Sequence, residues 1–115
     1  MYRTLVIYKM KTIITSTGDQ LTSKFDQRFG RAGWFCVYDQ DSKTSNFIEN
    51  SFKNLNGGAG TKSSEMAAEL GASQIISGDF GPKAKSLLEK FKIQMIILDK
   101  TNLCVQDIID QITKN

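Results

Sequence analysis

The sequence contains no histidine, and it has only one proline and two cysteines. The absence of imidazole excludes Ser-His-Asp and Cys-His catalytic arrangements, and it removes a common side-chain ligand of transition metals. Cys36 and Cys104 form no CxxC pair, so neither a zinc ribbon nor a thioredoxin-type redox motif is present. This cysteine usage favours a reducing compartment, and we expect the protein in the cytoplasm.

Long apolar runs and a strong charge of one sign are also missing. The apolar residues 5–8 form a stretch far shorter than the roughly 20 residues of a membrane span, and shorter than the core of a signal peptide. The net charge of +3 arises from 15 basic and 12 acidic residues that are dispersed along the chain. We therefore expect neither a membrane nor a nucleic acid as partner, and only a weak preference for anionic ligands.

The length of 115 residues and the hydrophobic content of 40% are those of one compact globular domain. Met10 precedes the segment Lys11-Thr12-Ile13-Ile14-Thr15, which reads like a second start. We therefore interpret residues 1–10 as an N-terminal extension or an alternative start, and residues 11–115 as a single domain. Residues 5–8 leave open whether the extension adds a strand.

The first half of the chain has the pattern of β-strands. Ile13 and Ile14, flanked by threonines, predict a first strand that ends before Gly18. Residues 34–38 form a continuous apolar and aromatic run typical of a buried strand. Residues 39–43 predict a hairpin turn and residues 44–50 an edge strand, so that this half is a β-meander.

The second half alternates between helical and strand patterns. Positions 63, 66, 67 and 70, and again 84, 87, 88 and 91, have the spacing of one helix face, with Gly71 ending the first helix and Pro82 beginning the second. Positions 105, 108, 109 and 112 predict a third helix, for which we expect Thr101 or Asn102 as N-cap. Short strands are predicted at residues 75–76 and 95–98. The order β-β-β-α-β-α-β-α predicts a mixed sheet with helices on its faces.

Three short motifs stand in order on these elements. Phe29-Gly30-Arg31-Ala32 lies between the first strand and the aromatic second strand, and it resembles the FGRA motif of the dinitrogenase iron-molybdenum cofactor biosynthesis family. Gly57-Gly58-Ala59-Gly60 resembles the glycine loop before the first helix of that family. Gly78-Asp79-Phe80-Gly81-Pro82-Lys83-Ala84 resembles its G-x-x-G-P-x-A turn. The resemblance covers Lys11 to about Ile112.

The resemblance implies a fold and a function. The fold is a ribonuclease-H-like, three-layer α/β fold with a mixed five-stranded sheet of order 3-2-1-4-5, an antiparallel strand 2 and helices on both faces. The function is that of a non-enzymatic carrier or scaffold for an anionic metal-sulfur cofactor, namely the iron-molybdenum cofactor, its precursor or a molybdenum-copper sulfide cluster. The implied partners are nitrogenase or cofactor-assembly proteins, and the implied state is a monomer or a weak dimer.

One departure from the family pattern keeps a second hypothesis open. Relatives often carry histidine just before FGRA, where this chain has Arg28, so ligation by imidazole is not inherited. The rival hypothesis is a regulatory or protein-interaction module of the same fold that binds a small anion or no cofactor. The missing histidines favour this rival, whereas two adjacent glycine-rich helix starts favour the carrier.

The candidate binding site lies where the FGRA segment meets the two glycine turns, because ligands of open α/β sheets bind outside the carboxyl ends of parallel strands. Each turn leads into a helix N-terminus, where free N–H groups and the helix dipole favour an anion. Lys62 is a further candidate donor. Glycines that serve only backbone geometry, and a structural salt bridge of Arg31, are the alternatives. The candidate residues are Arg28, Phe29, Gly30, Arg31, Gly57, Gly58, Ala59, Gly60, Gly78, Asp79, Phe80, Gly81 and Lys83.

Other sites are weaker or excluded. The segment Gly60-Thr61-Lys62-Ser63 fails the P-loop pattern because no glycine directly precedes the lysine, and the dinucleotide fingerprint lacks its third glycine. The central strand supplies no carboxylate for a two-metal nuclease. Cys104, expected in the first turn of the last helix, is the better candidate metal ligand, with an ordinary cysteine as the alternative. Cys36 fits a small buried hydrophobe better than a metal thiolate.

Overall fold

The computed structural model describes residues 10–113, so the expectations for residues 1–9, including an added strand at residues 5–8, lie outside the described residues. The elements alternate as the sequence predicts. In chain order they are β1 (Lys11–Ser16), β2 (Trp34–Asp39), β3 (Thr44–Glu49), α1 (Ala59–Glu69), β4 (Gln74–Ser77), α2 (Pro82–Lys90), β5 (Gln94–Ile97) and α3 (Val105–Thr113).

The five strands form one mixed sheet of order β3-β2-β1-β4-β5. Strand β2 is antiparallel to both of its neighbours, whereas β1 pairs with β4, and β4 with β5, in parallel. The expected sheet order and the antiparallel second strand are therefore confirmed. The hairpin between β2 and β3 is also confirmed, because Asp39 Oδ1 accepts hydrogen bonds from the backbone N–H groups of Asp41 and Ser42.

Alternation along the strands divides the core between the two faces of the sheet. On one face, Ile13 and Phe35 pack in a cluster that includes Ala67 of α1 and Leu88 of α2. On the other face the cluster contains Ile14, Cys36 and Ile76 together with Val105, Ile108 and Ile109 of α3. The helices thus cover both faces, which confirms the three layers.

The start of α3 differs from the prediction. Neither Thr101 nor Asn102 is its N-cap, because Asn102 has a left-handed φ of 64° and the helix begins at Val105. The backbone N–H of Cys104 instead donates to Asp107 Oδ2 at 2.9 Å, which is the reach-back half of a capping box. Cys104 therefore precedes the first turn instead of lying within it.

The glycines and the proline expected at the ends of the other two helices are found there. Gly58, with φ 80°, directly precedes α1, which already begins at Ala59, inside the glycine stretch. Gly71, with φ 77°, follows its end, and Pro82 is the first residue of α2. Within residues 10–113, no helix is long and apolar enough to cross a bilayer.

Candidate functional site

Three segments of the chain meet at one edge of the sheet. Strands β1, β3 and β4 all end at this edge, since β1 and β3 both run antiparallel to β2 and β4 runs parallel to β1. The segments that follow them are the FGRA turn and the N-termini of α1 and α2. Between them lies an open cavity of about 340 Å³, lined by Arg28, Phe29, Gly30, Arg31, Gly58, Ala59, Gly60, Asp79 and Gly81.

Two glycines permit the close contact of these segments. A Cβ added to Gly30 would lie 2.8 Å from both the N and the Cα of Gly60, and one added to Gly60 would touch the Cβ of Ala84 at 3.4 Å. The FGRA turn thus rests directly on the backbone of α1, and α1 on α2. A Cβ on Gly78 would lie 2.8 Å from the carbonyl oxygen of Gln27, so Gly78 serves packing and does not line the cavity.

The aromatic residues of the two motifs lie beneath the cavity. Phe29 and Phe80 are 2% and 3% exposed, and their ring centroids are 5.2 Å apart. Phe29 also contacts Phe35 of β2, with the centroids 5.8 Å apart. Because aromatic pairs at such distances contribute to stability beyond their buried area, these side chains support the cavity more than they offer contacts to a ligand.

The N-termini of α1 and α2 both face the cavity without a side-chain cap. Neither Gly58 nor Gly81, the two N-cap residues, provides a side-chain hydrogen bond, and neither helix has an acidic residue in its first turn. The first N–H groups of a helix have no intrahelical partner and carry the positive end of its dipole. Two such ends at one cavity create a region that favours an anion.

Arg28 lines the cavity and forms an ion pair with Asp26, a residue that the sequence patterns did not indicate. Its Nε lies 3.2 Å from Oδ1 of Asp26 and its Nη2 lies 3.2 Å from Oδ2, while 64% of the Arg28 side chain remains exposed. The hydrogen bond and the charge of Asp26 raise the pKa of Arg28 above its ordinary value. Asp26 itself is 4% exposed, which is unusual for a carboxylate and requires these partners.

Arg31 is held by a hydrogen bond instead of a salt bridge. Its Nη1 donates to the carbonyl oxygen of Lys53 at 2.8 Å, and no ion pair involves it within residues 10–113. Lys62 lies 3.7 Å from Glu65 on the surface of α1. Lys83 lines a separate depression of about 270 Å³ that shares Gly58, Gly60 and Gly81 with the main cavity.

Asn50 is a second residue that the sequence patterns did not indicate. It is fully buried, and its Nδ2 donates to the carbonyl oxygens of Gly30 and Ala32, each at 2.9 Å. Ser63 of α1 also donates to Gly30 O at 3.3 Å. The only sequence signal is an asparagine at the end of the predicted edge strand 44–50, a position that many strands share.

The two cysteines do not line the cavity. Cys36 is fully buried in the cluster beneath α3, on the sheet face opposite α1 and α2, and its burial raises the pKa of its thiol to about 11. Cys104 is half-buried beside Lys24, with which it forms an isolated β-bridge. Within the described part of the chain, no three acidic or cysteine side chains lie close enough together to hold a metal ion. Among residues 10–113, the one carboxylate in the cavity wall is Asp79.

Comparison with known proteins agrees with this fold. The structure matches the apo form of the orange protein from Desulfovibrio gigas with a TM-score of 0.84 and 28% identity, covering 93% of this chain and 89% of that one. It matches a NifB-like protein from Thermotoga with a TM-score of 0.78 and 25% identity, covering 92% and 89%. Uncharacterized protein MJ0580 of Methanocaldococcus jannaschii is 29% identical over 84 residues, or 70% of this chain and 71% of that protein.

A family model covers nearly the whole chain. The model described as "Dinitrogenase iron-molybdenum cofactor" matches residues 10–115, which contain all three motifs and every residue that lines the cavity. The chain therefore belongs to the dinitrogenase iron-molybdenum cofactor family.

Proposed function

We propose that the protein is a non-enzymatic carrier or scaffold for an anionic metal-sulfur cofactor, which binds in the cavity between the FGRA turn and the two helix N-termini. The observation that supports this most is the convergence of the uncapped starts of α1 and α2 on one cavity. The description of the family names the iron-molybdenum cofactor, and one structural neighbour, the orange protein, is known in an apo form.

The residues present fit an anionic cofactor that is bound by hydrogen bonds to its outer atoms, without coordination of its metal ions by the protein. The cavity of about 340 Å³ lies within the range of about 300–1,000 Å³ usual for small-molecule sites. Its donors are backbone N–H groups and the guanidinium groups of Arg28 and Arg31, which suit sulfide or oxide atoms at the surface of a cluster. None of the described residues that line it carries a thiol or an imidazole, so the cargo would arrive with its metal coordination already filled.

The same lining supports a binding role over catalysis. Among the described residues around the cavity, Asp79 is the only carboxylate, and none carries a hydroxyl, a thiol or an amine. Asp79 is therefore the one side chain in this described lining that could act as a nucleophile or a general base, and no second acid or base of that kind lies beside it in the lining. Cargo in this site would be bound, protected and passed to a partner, for which nitrogenase or a cofactor-assembly protein in the cytoplasm is the natural choice.

Titration with tetrathiomolybdate under anaerobic conditions tests the proposal. The protein should retain molybdenum through gel filtration, and the visible absorption of the anion should shift on binding. Arg31→Glu should abolish this uptake, because it places a negative charge on the cavity wall. Lys43→Glu makes the same change of charge in the turn between β2 and β3, at the opposite edge of the sheet, and should bind like the wild type. Equal uptake by the wild type and both variants would show that the anion does not bind in this cavity.

The alternative is a regulatory or interaction module of the same fold that binds a small anion. Two observations favour it: Arg28 and Arg31 already have partners within the protein, and none of the described residues that line the cavity offers a soft ligand. The two functions separate in a competition experiment. Protein that binds inorganic phosphate in the cavity and excludes tetrathiomolybdate would support the module and contradict the carrier.

A further inference from the structure

Asp26 is a buried carboxylate directly behind the cavity, and all its bonds run to the loop that forms the cavity wall. Its Oδ1 accepts from the backbone N–H of Arg28 at 3.0 Å and from Nε of the same residue at 3.2 Å. Its Oδ2 accepts from Nη2 of Arg28 and from the backbone N–H of Gly33, each at 3.2 Å. Four hydrogen bonds thus join this carboxylate to the two ends of the loop that contains FGRA.

The backbone of Asp26 is in turn fixed to the central strand. Its N–H donates to the carbonyl oxygen of Thr15 at 3.0 Å, and its carbonyl oxygen accepts from Thr15 Oγ1 at 2.6 Å. Thr15 is fully buried in β1. The position of the Asp26 carboxylate is therefore determined by the most interior strand of the sheet.

The bonds to Asp26 determine which donors of Arg28 remain for a ligand. A guanidinium group has five N–H donors in one plane, and the side-on pair with Asp26 uses one on Nε and one on Nη2. The other three, on Nη1 and Nη2, point away from Asp26 and have no partner among residues 10–113. An exposed arginine without such an ion pair would adopt many rotamers, so its donors would have no fixed direction.

We propose that Asp26 is a positioning residue of the binding site, which holds the guanidinium plane of Arg28 so that its three outer N–H donors are presented to the anionic guest in the cavity. This inference rests on the proposed function and adds to it a residue that does not line the cavity. It assigns the buried ion pair a role in anion recognition, in addition to its role in holding the loop.

Geometry and simple electrostatics predict opposite effects of removing the charge of Asp26. The carboxylate lies close to the cavity and repels an anion, so its loss alone should tighten anion binding. If Asp26 orients Arg28, however, its loss should weaken binding although the net charge of the site becomes more positive. The sign of the change therefore distinguishes a positioning residue from a neutralising one.

The test compares four variants in anaerobic titrations with tetrathiomolybdate at constant ionic strength. Asp26→Asn and Arg28→Lys should each weaken binding about tenfold, the usual scale for losing one charge-assisted contact. The double variant should bind no more weakly than Arg28→Lys alone, because Asp26 acts through Arg28. Asp79→Asn is the matched control: it removes an exposed carboxylate of the cavity wall that makes no bond within residues 10–113, and it should tighten binding.

The possible outcomes are separable. Folded Asp26→Asn protein that binds as tightly as the wild type, or more tightly, overturns the inference, and so does a further loss when Asp26→Asn is added to Arg28→Lys. If Asp26→Asn fails to fold, Arg28→Lys decides, since wild-type affinity with a lysine would show that the guanidinium geometry is irrelevant. Wild-type protein that does not bind the anion overturns the proposed function and this inference together. Urea unfolding of each variant confirms that the fold is intact.

Discussion

Substitution of Gly30 by alanine tests the contact between the FGRA turn and α1. The new Cβ would lie 2.8 Å from the N and the Cα of Gly60, well inside van der Waals distance. Backbone atoms in the first turn of a helix cannot rotate out of the way, so the turn must move off the helix. Overpacking of this kind costs about 1–3 kcal/mol.

A compensating gain reduces the net effect. Alanine restricts the unfolded chain, which contributes about 0.4–1 kcal/mol of stability when the native backbone tolerates it. We therefore expect Gly30→Ala to lower the free energy of unfolding by about 1–2 kcal/mol. Gly57→Ala is the matched control in the neighbouring motif, because its Cβ would meet nothing within 4 Å, and it should be neutral or slightly stabilising.

Urea unfolding followed by the fluorescence of Trp34, the single tryptophan, measures the difference between the two variants. With a urea m-value of about 1–3 kcal/mol/M, a difference of about 2 kcal/mol separates their midpoints by about 1 M. Gly30→Ala should also weaken uptake of tetrathiomolybdate, since the two walls of the cavity would part. A Gly30→Ala midpoint equal to that of Gly57→Ala would refute the close backbone contact.

Two more predictions concern buried polar groups, beside those already stated for Arg31 and Asp26. Asn50→Ala leaves the carbonyl oxygen of Ala32 without a donor and that of Gly30 with Ser63 alone, and it should lower the free energy of unfolding by about 1–3 kcal/mol, measured in the same urea assay. Burial raises the pKa of the Cys36 thiol from its ordinary value to about 11, so the unfolded chain loses this proton first as the pH rises. The resulting stability, about 3 kcal/mol, is complete below pH ~9 and lost as the pH approaches ~11. Unfolding curves of the wild type and Cys36→Ala should therefore converge across this interval, and a constant difference between them would contradict the assigned pKa.

Local patterns were sufficient for the elements of this fold. Strand β2 is a continuous apolar and aromatic run, β1 is marked by two isoleucines between threonines, and the three helices each carry one apolar face. The sheet order came from the family resemblance, because periodicity does not specify which strands pair. The start of α3 was missed because Thr101 and Asn102 are common N-caps, whereas the cap in use depends on Asp107 reaching back to Cys104.

The candidate site was predictable where the sequence has motifs, and less so elsewhere. Both glycine turns and the FGRA turn were expected to meet, and the structure brings them around one cavity. Asp26 and Asn50 could not be identified, because their importance comes from long-range burial and hydrogen bonds to the FGRA loop. Gly78 was expected at the ligand, yet it contacts Gln27 instead. Only the packed chain distinguishes a glycine that makes room for a neighbouring segment from one that faces a guest.

The most direct test of the cofactor-carrier proposal is anaerobic purification of the protein from its native host, followed by metal analysis and visible absorption spectroscopy. The proposal predicts coloured protein that contains molybdenum together with sulfide, and loss of both from Arg31→Glu purified in the same way. Wild-type protein that is colourless and free of metal, and that also fails to take up tetrathiomolybdate, would contradict it.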